Sequence, residues 1–205
     1  MPDKDRELAL GAARGDLRAF SALMDRYKDR GMGLAFRILR NREDAEEALQ
    51  DAFVRTFRGL AGFKGNSKFG TWFFRILYNV CATKAGQRRP VADEHPEDDA
   101  ESIDAGLSQI PDDTPQPDIL LETNEFYRIV SEAIDDLPVI YRDPVLLFLV
   151  QDFSYEEVSE VLGLSVPSVK TRIFRARALL RITVRRRLDW SPTRSETVVD
   201  EGDEA

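Results

Sequence analysis

The chain has 205 residues, room for one ordinary domain or two small ones, with 42 % hydrophobic and 32 % charged residues and a formal net charge of -8. The single cysteine, Cys81, excludes an intramolecular disulfide framework and reads as a small buried thiol on a helix, while the lone His95 sits among acids without the partners a metal site needs. No stretch approaches the roughly 20 apolar residues of a membrane span and the charged start MPDKDRE lacks a signal peptide's apolar core, so a soluble, cytoplasmic protein is expected.

The first 89 residues read as helices, with Leu17, Phe20, Leu23, Met24 and Tyr27 recurring at three and four and no alternating strand pattern against them. Asn41, with Asp44 at the third helical position, opens a helix whose stripe Ala45, Ala48, Leu49, Ala52, Phe53, Thr56 and Phe57 runs unbroken through Arg58. Gly59, Gly62, Gly65 and Asn66 break it into the loop LAGFKGNSKFG, after which TWFFRILYNVCATKAGQRR resumes a helix up to Pro90. Residues 90–118 turn to Pro, Asp, Glu and Ser, and should be a flexible acidic tether. A second helical unit begins near Ile119, and Pro138 opens a further helix in which Pro144 predicts a kink or a late start near itself. Ser154 with Glu157 forms a capping box, Gly163 ends that short helix, and an arginine-thick helix follows, giving a helix-turn-helix. The expected fold is all-α: two small helical domains, residues 1–89 and 119–188, joined by the linker 90–118 and trailed by a disordered acidic tail, 189–205.

The acid is segregated. The linker carries ten acids and no Lys or Arg, the tail is net -5, and without both the remaining segments stand at +7. The folded parts are therefore basic, as a phosphate-neutralising surface requires. On the last helix Val169, Ile173, Ala176 and Leu180 share one stripe, leaving Ser168, Lys170, Thr171, Phe174, Arg175 and Arg181 facing away with Arg172 and Arg177 on the flanks. That face suits a major groove. Between Phe63 and Arg89, the rings of Phe69, Trp72, Phe73, Phe74 and Tyr78 mix with Lys64, Lys68, Arg75, Lys84, Arg88 and Arg89. An unpaired base stacked on such a ring gains about 1–3 kcal/mol, although a small helical domain also needs large rings inside, and Phe73, Ile76, Leu77 and Val80 make a buried face. Asp44, Glu47 and Asp51 fit a metal site, a solvated face or a protein-docking face, and spacing does not choose among them.

Together, DAEEALQDAFVRTFRG with FKGNSKFGTWFFRILYNVCATKAGQRR, then LPVIYRDPVLLFLVQDFSYEEVSEVLGLSVPSVKTRIFRARALLR, resemble the extracytoplasmic-function group of bacterial sigma factors in the sigma-70 family, from about residue 7 to 187. The resemblance implies a specificity subunit of RNA polymerase, not an enzyme, with no catalytic residue, cofactor or metal. It implies that Asp44, Glu47, Gln50, Asp51 and Arg55 dock on core polymerase. The loop with Lys64, Asn66, Ser67, Lys68 and Phe69 would capture a flipped base of the minus-ten promoter element, beside Trp72, Arg75, Asn79, Lys84, Arg88 and Arg89. The helix bearing Ser168, Lys170, Thr171, Arg172, Phe174, Arg175, Arg177 and Arg181 would read the minus-thirty-five element. An anti-sigma factor is the further partner it implies. The 29-residue linker, at about 3.3 Å per residue, reaches roughly 90 Å, enough for elements about two helical turns apart. Pro144 departs from the family's continuous helix. A helix-turn-helix regulator with a sensing first domain, and a nuclease using Asp44, Glu47 and Asp51, are the competing readings.

Overall fold

The computed structural model describes residues 4–63, 65, 67–86 and 122–188. The linker 90–118 with His95, the tail 189–205, and the candidate DNA contacts Lys64, Asn66, Arg88 and Arg89 lie outside the described residues. Every regular element among the described residues is helical, and no helix there is long and apolar enough to cross a membrane.

The first unit holds α1 (Lys4–Ala13), α2 (Leu17–Leu39), α3 (Arg42–Gly59), a 3-10 turn (Leu60–Gly62) and α4 (Phe69–Lys84). Local chemistry sets the joints. Asp16 stands extended before α2 and its carboxylate accepts the Arg18 and Ala19 N–H groups, while Asn41 caps α3 by accepting from Asp44. Leu23, Leu34, Phe73, Phe74 and Leu77 fill the core. Gly31 lets α2 lie close on α3, since a Cβ there would meet Leu49 Cδ1 at 2.8 Å. The α4 helix ends at Lys84 rather than continuing toward Pro90, and Gly86 follows it with φ 66°.

The second unit holds α5 (Glu122–Asp135), α6 (Val139–Val145), α7 (Tyr155–Leu162) and α8 (Val166–Arg187). The expected late start near Pro144 is corrected: α6 begins at Val139, because the Pro138 carbonyl already accepts the N–H groups of Tyr141 and Arg142 at 2.9 and 2.8 Å. Pro144 lies within the helix and offers no N–H to the carbonyl of Ile140. The chain then widens into a π turn, Leu146–Val150, where the Gln151 N–H reaches back five residues to Leu146 O at 3.1 Å. The capping box of Ser154 and Glu157 forms on α7, and Gly163 ends that helix with φ 68°.

The two units share one continuous core. The α4 helix packs on α7, and Phe74 meets Phe153 edge to face with centroids 5.3 Å apart. Arg30 of α2 lies over both rings, donates to Gln151 Oε1 and to the Gln151 carbonyl at 3.1 and 2.6 Å, and its own carbonyl accepts from Gln151 Nε2. Arg37 pairs with Asp135 at 3.1 Å.

Candidate nucleic-acid interface

The last helix, α8, is built to present charge. Ser165 caps it by accepting the Ser168 N–H, and Pro167 stands in its first turn, where a missing N–H costs nothing. Val169, Ile173, Ala176 and Leu180 are buried, anchoring the helix along the stripe expected of them. Lys170, Thr171, Phe174, Arg177 and Arg181 are exposed, Phe174 to 63 % of its surface. Ser168, Arg172 and Arg175 are half-buried. The Ser168 hydroxyl is engaged by Ser165 at 2.9 Å. Arg187 is tied back to Glu132 of α5 and to Asp136 just after that helix, at 3.1 and 2.6 Å.

The aromatic helix α4 divides its rings between core and surface. Phe69, Phe73, Phe74 and Tyr78 are buried, Phe69 to all but 1 % of its surface, so in this arrangement Phe69 supports the loop rather than offering a face to a base. Trp72 is half-buried, tilted against Phe63 at 5.0 Å and Phe69 at 5.9 Å, and is the one ring of the set with an edge toward solvent. Ser67 and Asn79 are half-buried, and Lys68 and Arg75 are exposed. Lys68 Nζ lies 3.0 Å from Glu157 Oε1, which also accepts from the Thr71 hydroxyl at 3.3 Å. A residue of the helix-turn-helix therefore occupies part of the other candidate DNA surface. Burial works to raise the Glu157 carboxyl pKa, but the Ser154 N–H, Lys68 and Thr71 outweigh it and hold the group below its ordinary value.

The acidic face of α3 is partly neutralised from α4. Lys84 Nζ sits 3.0 Å from Asp44 and 2.8 Å from Glu47, and hydrogen bonds to those carboxylates, Glu47 first, raise its pKa. Lys84 is thus joined to the acids rather than to the basic loop. Asp51 pairs with Arg55 at 2.8 Å, one turn apart, and Gln50 is exposed beside them. Among the described residues no group of three His, Cys, Asp or Glu side chains is placed to hold a metal ion.

One cluster was not legible in the sequence. Tyr78, Arg142 and Asp143 are buried together: the Tyr78 hydroxyl donates to Asp143 Oδ2 at 2.9 Å and Arg142 Nε donates to Asp143 Oδ1 at 3.3 Å. Desolvation leads the causes raising both the Asp143 and Tyr78 pKa values, and Arg172 of α8 is near enough to pull the Tyr78 value back down. The only hint was a charged pair, Arg142-Asp143, set inside an otherwise apolar run.

Residues 23–89 match the family described as Sigma-70 region 2, and residues 127–180 match Sigma-70, region 4. The chain is 33 % identical over 178 residues to the ECF RNA polymerase sigma-E factor of Haemophilus influenzae, covering 86 % of this chain and 93 % of that one. It is 32 % identical over 177 residues to the RNA polymerase sigma-H factor of Pseudomonas aeruginosa, covering 85 % and 91 %. Among solved structures, CnrH in complex with the cytosolic domain of CnrY is similar with a TM-score of 0.63 and 28 % identity, over 88 % of this chain and 96 % of that one. With both regions present in order and relatives aligned along nearly their whole length, the chain belongs to the extracytoplasmic-function sigma factors of the sigma-70 family.

Proposed function

We propose that the chain binds core RNA polymerase through the α3 face of Asp44, Glu47, Gln50, Asp51 and Arg55, and reads a promoter at two places with two different surfaces. The α8 face, from Ser168 to Arg181, enters the major groove of the upstream element. The loop and outer edge of α4, with Lys68, Trp72, Arg75 and Asn79, engage the strand that opens downstream, and the same role is assigned to Lys64, Asn66, Arg88 and Arg89. Domain limits near residues 89 and 119, a cytoplasmic location and the absence of a catalytic step of its own belong to the same reading.

The observation that carries it is the exposed, cation-rich outer face of α8 beside a buried apolar stripe, within a capped helix-turn-helix. Lys68 and Thr71 are engaged by Glu157, and Arg172 lies toward Tyr78. Both DNA surfaces are therefore free together only when α4 and α7 part. A partner that grips the packed units would keep the protein off DNA, which is the role we assign to an anti-sigma factor; the relative CnrH is seen with a bound CnrY domain.

Purified core polymerase, with and without this protein, is to be run on a promoter library. Initiation confined to a subset of templates, sharing two sequence blocks about two helical turns apart, is the expected result. Equal transcripts with and without the protein would sink the reading.

A further inference from the structure

Lys170 and Arg177 lie seven residues apart, on one side of α8 and about 10 Å apart along its axis. Each cation rests over an aromatic ring contributed by another element. Lys170 Nζ is 5.6 Å from the ring centre of Tyr155, the first residue of α7. Arg177 Cζ is 5.5 Å from the ring centre of Phe148, which lies in the π turn. The two rings are stacked on each other, with centroids 4.6 Å apart and planes 15° from parallel. The result is a ladder of cation, ring, ring and cation at the edge of the helix-turn-helix.

Three features set this ladder apart from ordinary packing. Both rings are half-buried and both cations are exposed, so the stack ends in solvent on the side of α8 that faces α7. Neither cation is held by a carboxylate at ion-pair distance among the described residues, unlike Lys84 and Arg187; Glu156 acts on Lys170 only from farther away. The ring under Arg177 stands in the π turn that follows Pro144, a wide turn of the kind that recurs at functional positions. A ring face attracts a cation without neutralising it, and so restrains a long side chain while leaving its charge for an external anion.

We propose that the Tyr155–Phe148 stack is a platform that positions Lys170 and Arg177 against the phosphates of one DNA strand. The two cations fix the register of α8 in the groove, and the base edges are left to other residues of that face. This deepens, and rests on, the reading of α8 as the upstream-element reader. Tyr155 and Phe148 are positioning residues: they act through Lys170 and Arg177. Ordering two long side chains before DNA arrives lowers the entropy lost on binding.

The test uses holoenzyme assembled from core polymerase and the full chain, bound to a promoter fragment that wild-type holoenzyme selects and to its single-base variants in the upstream element. Tyr155→Leu and Phe148→Leu are expected to weaken binding about two- to fivefold on every fragment alike, the fold-change matching one exposed cation–ring contact. Tyr155→Phe keeps the ring and is expected to bind like wild type. Lys170→Gln, a surface change that leaves the fold alone, is expected to lower the salt slope by about one and to lose most of its effect in the Tyr155→Leu background. Unchanged affinity in both ring variants, additive effects of Tyr155→Leu and Lys170→Gln, or a loss that depends on the base sequence would each overturn the platform. If wild-type holoenzyme selects no promoter, the parent reading falls and the platform with it; if it selects one and the ring variants bind normally, the platform alone falls.

Discussion

The Tyr78 hydroxyl donates a 2.9 Å hydrogen bond to Asp143 Oδ2, joining α4 of the first unit to α6 of the second where both side chains are buried. Removing the hydroxyl leaves a buried carboxylate oxygen short of a donor. Tyr78→Phe should cost about 1–3 kcal/mol in denaturant unfolding, more than the loss of an average hydrogen bond. A cost near zero would mean that water or Arg142 replaces the donor.

The same pair gives a pH signature. Burial pushes the Asp143 pKa up from an ordinary value of 3.8, against the pull of Arg142 and Tyr78. Between the ordinary and the folded value, the folded chain holds more protons than the unfolded chain, so this site's contribution to stability falls as pH rises through that window. At neutral pH the penalty of a buried charge is complete. Wild type should therefore gain on Asp143→Asn as pH is lowered from 7 toward 4, measured by urea unfolding at each pH. A gap that does not change with pH would contradict this.

Glu157 should behave in the opposite sense. Its pKa is held below the ordinary 4.5, so its contribution is present above that value and lost as pH falls through the folded one. Glu157→Ala removes half of the capping box and the contacts to Lys68 and Thr71, at an expected cost of about 0.5–2 kcal/mol at pH 7. Glu157→Gln can still cap the helix and should cost less. Thermal melts of the two variants distinguish the cap from the ion pair.

Cys81 is fully buried, and desolvation, helped by nearby Asp143, pushes its thiol up to about 12. The thiolate that alkylating reagents need is then scarce and inaccessible. Iodoacetamide at pH 8 should leave the native chain unmodified and label it rapidly in denaturant, as read by intact mass. Fast labelling of the native chain would show that the α4 core opens readily.

On DNA, Arg175→Ala should weaken use of the upstream element by about 1–3 kcal/mol if it meets a base edge, and less if it meets only phosphate. Asp51→Arg should reduce association with core polymerase in a pull-down while leaving the melting temperature near wild type, since the Asp51–Arg55 pair is exposed and contributes little to stability. Normal association would move the docking face elsewhere.

Much of this architecture is local and was legible in the sequence. Asn41, Ser154 and Gly163 announce their helix ends because capping is a matter of neighbouring atoms, and the stripe Val169, Ile173, Ala176 and Leu180 is buried as its spacing requires. What periodicity could not divide was the aromatic set of α4. Phe69 and Trp72 differ by three residues and share a composition, yet one is sealed by Tyr27 and Phe63 and the other keeps an edge in solvent. Contacts between distant segments were also hidden: Lys84 on the acids of α3, Glu157 on Lys68, and Tyr78 on Asp143 each depend on how helices pack. Of the two readings that Pro144 allowed, a late start fails because the helix already begins at Val139, while the regular α-helix does give way to a π turn just past the proline.

On the proposed function, one chain holds its two DNA surfaces against each other when alone and separates them on a promoter. Paired spin labels at Arg18 of α2 and Ile182 of α8, both exposed, report that separation by pulsed dipolar spectroscopy. In the free protein a single narrow distance distribution is predicted, fixed by the packing of α4 on α7. In the complex with core polymerase and promoter it should lengthen toward the roughly 70 Å spanned by two helical turns of DNA. The same distance in both states would mean that the two units stay packed on the promoter.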